Sequence, residues 1–182
     1  NKRQASTLAG LKNVMVKYLE EIEFEDLEYT KAIRTFCALW LDRVILRSTS
    51  FGQWHYLQET VEHLFGRQTV SMSFSYPELN PYTSSSNGAL GQLSSILNFI
   101  ENESIVPFIS HVNNSASGEK SQFSEKWLDA VITDPPYYDA IAYADVSDFF
   151  YLWLKEILTP YYPSVFVYPQ TPKLEECTAL KH

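Results

Sequence analysis

The chain has 182 residues, enough to bury a hydrophobic core, and its formal net charge is -8. This acidity argues against bulk electrostatic attachment to nucleic acid, because non-specific DNA binders are usually basic on one face. Cys37 and Cys177 form no CxxC pattern and no apolar run is long enough for a membrane span, so we expect a reduced, cytoplasmic protein without a zinc site.

Apolar residues at helical spacing predict two N-terminal helices. The first covers residues 8–19 and ends in an acidic stretch, where Asp26 is expected to cap the second helix. The second runs from Leu27 to about Ser48 and has a wide apolar stripe. We interpret Arg43 and Arg47, on its other side, as a solvated face, with phosphate contact as the less favoured alternative.

The middle of the chain is predicted to contain two further helices, at residues 53–65 and 90–100. Short strands are predicted at residues 69–74 and 105–109, and residues 113–124 are the best candidate for disorder. Prolines and serines at 76–88 indicate a loop, which either packs on the surface or faces a ligand. The pattern Gly88-x-x-Gly91 follows this loop rather than a strand, so it is not interpreted as a phosphate loop.

Residues 128–138 predict a buried strand that ends in a rigid acidic corner. Ala130, Val131 and Ile132 form an apolar run of the kind found inside parallel sheets. Asp134 precedes a proline, which keeps its backbone extended, and the next two prolines fix two φ angles. Ligands of open α/β sheets bind just outside the carboxyl ends of strands, so this corner is the predicted site.

The corner suits an exocyclic amine on a flat base. Such an amine is a poor nucleophile because its lone pair is delocalised into the ring. Asp134 could accept one N–H and the Pro135 carbonyl the other, and Tyr137 could stack on a base swung out of the helix, worth ~1–3 kcal/mol. The alternative is that Asp-Pro-Pro-Tyr forms a structural turn. These four residues alone do not favour a binding site over a turn.

The last predicted helix covers residues 144–157 and is aromatic nearly all round, which implies burial between a sheet and another layer. Asp145 or Ser147 is expected to cap it. The proline-containing segment that follows is expected to be irregular.

Two neighbouring stretches, residues 133–139 and 143–154, resemble the catalytic region of S-adenosylmethionine-dependent DNA amino-methyltransferases. They are most similar to the large adenine-specific DNA methylase-like proteins of prokaryotes, often encoded near mobile or defence genes. The likeness spans the chain from about Tyr18 to the end, with further matching stretches at residues 41–43, 65–68, 78–81 and 172–176. It implies methyl transfer to the exocyclic amine of adenine, and less readily of cytosine, in DNA, as in restriction-modification or defence.

The resemblance also implies roles for single residues. The catalytic group would be Asp134, Pro135, Pro136 and Tyr137, and the substrate-binding group would be Tyr138, Asp139, Asn80 and Asp148. It favours the ligand-facing alternative for the loop that carries Asn80, and it implies no metal.

The cofactor half of such an enzyme is not evident in the sequence. None of the six glycines lies in a strand–Gly-x-Gly–helix unit, which methyltransferases use to hold S-adenosylmethionine. The chain starts at Asn1 without an initiator methionine, so we interpret it as a piece of a longer protein. We expect the isolated piece to bind the cofactor weakly or not at all, and to be inactive.

The predicted architecture is α/β and helix-rich. A helical region at 1–66 would precede a partial Rossmann-like methyltransferase domain at 67–182, whose exposed sheet edge would favour a homodimer. A second functional class is a non-catalytic, methylase-like module that binds nucleic acid or protein through the corner. Methylation of RNA or of a glutamine amide is a third, less favoured reading.

Overall fold

A computed structural model describes residues 1–22, 24–66, 74–105, 110, 112, 128–137 and 141–175. Within these residues the chain is helix-rich and has one small sheet, so the coarse prediction of a helix-rich α/β protein is confirmed. The elements in order are α1 (Lys2–Glu21), α2 (Leu27–Arg47), β1 (Gln53–His55), β2 (Thr60–Glu62), α3 (Ala89–Glu103) and α4 (Tyr143–Leu158), followed by a 3-10 turn at Lys173–Glu175. No helix in this part of the chain is both long and apolar enough to cross a membrane.

Both N-terminal helices begin at the caps that their sequences favour. The Asn1 side chain accepts a hydrogen bond from the Gln4 backbone N–H at 3.0 Å. Asp26 does the same for α2, accepting from the backbone N–H groups of Glu28 at 2.8 Å and Tyr29 at 3.2 Å. The predicted cap of α2 is therefore confirmed, and it satisfies donors that an uncapped helix would leave without partners.

Helix α2 lies at the centre of the hydrophobic core. Leu41 and Ile45 on α2 are fully buried, and α2 packs against α1, α3, α4 and β2. One cluster of buried side chains combines all four helices and the segment after α4: Leu8, Met15, Leu19, Ala38, Leu41, Val44, Ile45, Ala89, Ile157, Leu158 and Phe166. Among the described residues, hydrophobic packing therefore continues across the proposed boundary at residue 66. Helix α4 packs against another helix, whereas the sequence suggested a sheet.

Residues 53–65 form a β-hairpin and not the predicted helix. β1 and β2 are antiparallel, with Trp54 opposite Val61. The β-branched residues Thr60 and Val61 are completely buried, and Glu59 reverses the chain with a φ of 49°. Gly52 allows the hairpin to close, because a Cβ there would lie 2.4 Å from Val61 Cγ1.

The arginines of α2 bind neighbouring elements. Arg34 is buried, donates to the Leu19 carbonyl at 2.6 Å and lies over the Tyr161 ring at 4.7 Å. Arg47 donates to Thr60 Oγ1 at 3.2 Å and to the Val61 carbonyl at 3.1 Å. The interpretation as a plain solvated face is thus wrong for Arg47, which holds the hairpin against α2. Arg43 is exposed, yet its Nε donates to Gln92 Oε1 on α3 at 3.0 Å.

The predicted buried strand at residues 130–132 is wrong. The described segment 128–137 contains no strand, and Val131 and Ile132 are 74% and 97% exposed. A central parallel strand needs a hydrogen-bonded neighbour on each side, whereas the sheet within the described residues is a single antiparallel hairpin. Residues 69–73, 106–109 and 113–124, where further strands and a disordered segment were predicted, lie outside the described residues.

Candidate functional site

The Asp-Pro-Pro-Tyr corner lies on the protein surface. Residues 134–136 are exposed, and no residue of the described chain donates a hydrogen bond to the Asp134 carboxylate. Tyr137 is 63% exposed, so most of its side chain is accessible. The acidic and aromatic groups are therefore presented to solvent together, as a ligand site requires. Tyr138 and Asp139, the next predicted contacts, lie outside the described residues.

A hydrogen bond connects the corner to the start of α4. The backbone N–H of Tyr137 donates to Tyr143 Oη at 3.3 Å, and Tyr143 is the first residue of that helix. The predicted side-chain cap is wrong, because the N-cap is Ala142 and both candidate caps lie inside the helix. Asp145 occupies the first turn, where a negative charge is favourable, and Ser147 Oγ donates to the Tyr143 carbonyl at 2.7 Å.

Asp148 joins α4 to the segment that follows it. Its Oδ1 accepts from the Thr171 backbone N–H at 2.9 Å and from Thr171 Oγ1 at 2.6 Å, and Lys173 Nζ lies 2.6 Å from Oδ2. Partial burial raises the pKa of Asp148, but the hydrogen bonds from Lys173 and Thr171 outweigh it, so this pKa is below its usual value. A substrate that binds Asp148 would therefore compete with Thr171 and Lys173 for the same carboxylate.

Asn80 lies in a different place from the corner. Its Oδ1 accepts from the Tyr82 backbone N–H at 3.0 Å, which forms an Asx turn. The loop around it lines a cavity of about 420 Å³ together with the start of α1 and the end of α2. No residue of the 134–137 corner lines this cavity. The loop is therefore a cavity wall, but within the described residues Asn80 and Asp134 do not line one pocket.

No described element fits S-adenosylmethionine. Gly88 is the N-cap of α3 and Gly91 lies in its first turn. Both are needed as glycines because the adjacent loop occupies the space that a side chain would fill. A Cβ at Gly88 would lie 2.1 Å from the Thr83 carbonyl oxygen, and one at Gly91 would lie 2.5 Å from Ser86. Residues 74–88, the described stretch before α3, contain no strand, so this turn does not have the strand–turn–helix context in which helix N-termini bind nucleotide phosphates. Across the described segments, no group of three or more His, Cys, Asp or Glu side chains is arranged to hold a metal ion.

Sequence reasoning missed Asp42 on α2 as an unusual group. Its Oδ1 is buried without a hydrogen-bond partner, and burial raises the pKa of Asp42 from 3.8 to about 7. A signal for this was present in the sequence. Asp42 lies four residues after Ala38 and three before Ile45, so it interrupts the face of α2 on which those fully buried residues lie.

The chain was compared with protein-family models, with curated proteins and with solved structures, and none of the three comparisons gave a match.

Proposed function

We propose that this chain is part of a methyltransferase that acts on the exocyclic amine of adenine in DNA and uses S-adenosylmethionine as its methyl donor. The observation that supports this most is the presentation of the corner: an exposed carboxylate with no hydrogen-bond donor among the described residues, two exposed prolines and an exposed tyrosine follow one another. Because no described residue donates to the Asp134 carboxylate, it is open to an incoming amine.

The residues of the corner would act on the amine directly. The Asp134 carboxylate accepts one N–H of the amine and the Pro135 carbonyl accepts the other, which draws electron density back to the nitrogen and makes it a better nucleophile. Tyr137 supports the ring of the displaced base by stacking. The two prolines restrict the backbone, so the carbonyl and the carboxylate keep their relative positions.

The proposal extends to the fold of residues outside the described segments. Val131 and Ile132 are apolar and exposed although they form no strand, and in the proposed enzyme a Rossmann-like sheet built by residues outside the described segments would pack over them. The cofactor site would be built by residues other than the described ones. Because the chain carries a net charge of -8, DNA contact would depend on local basic groups. A DNA substrate is consistent with a cytoplasmic protein.

Asp134→Asn in the intact protein tests the mechanism. The substitution keeps the shape of the side chain but removes its charge and places an N–H donor against the amine. We expect N6-methyladenine in substrate DNA, measured by mass spectrometry, to fall at least 100-fold, a typical effect of removing an acid–base group. Asp129→Asn is the matched control, because Asp129 is also exposed and lies five residues away. Unchanged methylation by Asp134→Asn would remove Asp134 from the mechanism.

A second candidate is a non-catalytic binding module, which the exposed apolar residues beside the corner favour. Exposed contiguous apolar surface often marks an interaction site, and Ile132 is 97% exposed. This module would bind DNA or a protein, including a second copy of itself, without methylating either. Intact protein that binds DNA but leaves every base unmethylated would support it. Competition between DNA, RNA and a glutamine-containing peptide would decide among acceptors, and size-exclusion chromatography would detect the homodimer.

A further inference from the structure

The side chain of Tyr143 joins the Asp-Pro-Pro-Tyr corner to helix α4. Tyr143 is the first residue of α4, and its Oη accepts a hydrogen bond from the Tyr137 backbone N–H at 3.3 Å. The two tyrosines are six residues apart, so this bond closes a short loop between the corner and the helix. A change at Tyr143 would therefore reach the corner without altering any of its four residues.

The two prolines make this bond the first backbone attachment available after Asp134. Pro135 and Pro136 have no backbone N–H, so neither can donate a hydrogen bond to the rest of the protein. Tyr137 is the next residue with a backbone donor, and Tyr143 accepts from it. Because the prolines also fix two φ angles, holding the Tyr137 nitrogen restricts where the Pro135 carbonyl and the Asp134 carboxylate can lie.

The helix that carries Tyr143 is supported at both ends. Next to Tyr143, the Ala144 carbonyl accepts a hydrogen bond from Thr171 Oγ1 at 2.6 Å. At the other end of α4, Ile157 and Leu158 are buried in the hydrophobic core. Tyr143 itself is 36% exposed, so neighbouring groups cover most of this residue. Its hydroxyl therefore extends from a well-supported element.

The corner has no comparable support of its own. Every residue from 128 to 137 is exposed, and the segment contains no helix or strand. Exposed segments with few packing contacts open at low free energy unless a hydrogen bond restrains them. The bond from Tyr137 to the Tyr143 hydroxyl provides such a restraint directly beside the groups that would act on a substrate.

We propose that Tyr143 is a positioning residue of the corner. Its hydroxyl holds Tyr137, and through the two prolines it sets where the Asp134 carboxylate and the Pro135 carbonyl meet an incoming amine. The catalytic part of this inference rests on the proposed methyltransferase function, whereas the hold on Tyr137 does not. Tyr143 touches no reacting atom in this arrangement, so its loss weakens catalysis by misplacing other groups.

Hydrogen exchange of the Tyr137 amide, measured by NMR on the full chain, tests the hold on the corner. Tyr143→Phe keeps the ring and removes the acceptor, so this amide should exchange with water roughly 2- to 10-fold faster, the range for loss of one hydrogen bond. Tyr151→Phe is the matched control, because Tyr151 also lies on α4 and its hydroxyl donates to the Tyr168 carbonyl at 2.8 Å instead of binding the corner. Unchanged exchange in Tyr143→Phe, or an equal rise in Tyr151→Phe, overturns the proposal.

Steady-state kinetics of the intact protein test the catalytic part. Methyl transfer by Tyr143→Phe should have a kcat roughly 2- to 10-fold below that of the parent and a nearly unchanged KM for DNA, because positioning acts mainly in the transition state. This loss should be smaller than the one expected for Asp134→Asn, since Tyr143 acts only through the corner. Tyr151→Phe should keep the parent kcat. A raised KM with an unchanged kcat would assign Tyr143 to DNA binding and overturn the positioning role.

The two experiments separate failure of this inference from failure of the proposed function. If the parent methylates DNA and Tyr143→Phe keeps the parent kcat, the positioning role is overturned and the methyltransferase proposal stands. If the intact parent leaves DNA unmethylated, the methyltransferase proposal fails and the catalytic role of Tyr143 fails with it. Faster exchange of the Tyr137 amide in Tyr143→Phe would still support the hold on the corner in that case.

Discussion

Replacing Asp42 with asparagine should stabilise the protein in a way that depends on pH. Folding places one oxygen of this carboxylate in an apolar setting without a partner, and burial raises the pKa of Asp42 from 3.8 to about 7. The folded protein therefore holds the proton more tightly than the unfolded chain does. The resulting stabilisation is complete below pH 3.8 and is lost as the pH rises through 7, so ionised Asp42 destabilises the fold most above pH 7.

The size of the effect follows from the two pKa values. Each pKa unit corresponds to 1.36 kcal/mol, so a rise from 3.8 to about 7 sets an upper limit of roughly 4 kcal/mol. The Asp42 side chain is only partly buried, so water screens some of this cost, and we expect about 1–3 kcal/mol at pH 8. Asp42→Asn keeps the shape of the side chain and removes the charge.

Urea denaturation of both proteins at pH 4 and pH 8 measures this difference. The free energy of unfolding of Asp42→Asn should exceed that of the parent by about 1–3 kcal/mol at pH 8 and nearly equal it at pH 4. Asp129→Asn, at an exposed position, corrects for the loss of one negative charge. The same difference at both pH values, or a less stable Asp42→Asn at pH 8, would refute the reasoning.

Three further predictions concern other parts of the molecule. Asp148→Ala removes the hydrogen-bond acceptor of Thr171 and Lys173 and should lower the free energy of unfolding, measured in urea, by about 1–2 kcal/mol above pH 5. The pKa of Asp148 is lowered in the folded protein, so the stability difference between the variant and the parent should shrink as the pH falls. Gly88→Ala places a Cβ 2.1 Å from the Thr83 carbonyl oxygen and should cost at least about 1–3 kcal/mol, whereas Gly10→Ala, with open space around it, should be neutral or stabilising. Titration calorimetry of this chain with S-adenosylmethionine should show no micromolar binding, because the sequence has no strand–Gly-x-Gly–helix unit, and micromolar binding would contradict this expectation.

The helices could be predicted because their signal is local. In α1, α2, α3 and α4 the apolar residues recur every three or four positions, and this spacing alone identifies a helix with one buried face. The cap at Asp26 is equally local, because it depends on a carboxylate directly before the first turn.

The hairpin was missed because its apolar residues imitate a helical repeat. Trp54, Leu57, Val61 and Leu64 are three or four residues apart, but only Val61 and Leu64 are buried, while Trp54 and Leu57 are 43% and 75% exposed. The tight packing of Gly52 against Val61 and the bonds from Arg47 decide the local fold, and these contacts join residues that a spacing pattern does not relate.

For the candidate site, the sequence predicted which chemical groups it contains, but not which residues surround them. Residues 134–137 lie outside any helix or strand, and the extended backbone predicted for Asp134 rests on the proline that follows it. Burial of Val131 and Ile132 is different, because it depends on strands elsewhere in the chain that a run of three apolar letters does not specify. The cavity near Asn80 likewise depends on α1 and α2 meeting a loop more than 70 residues from Arg3.

The attachment of residues 128–137 has a thermodynamic consequence for any partner of the corner. Within the described contacts, the bond between Tyr137 and Tyr143 Oη is what connects this segment to α4. Little buried surface opposes local opening there, so a ligand that fixes the segment must compensate the conformational entropy lost on ordering it, about 1–2 kcal/mol per residue. Pro135 and Pro136 already restrict the backbone of the unliganded segment, so less conformational entropy is lost when a ligand binds. The two prolines would therefore increase the affinity for a ligand as well as fix the geometry of the corner.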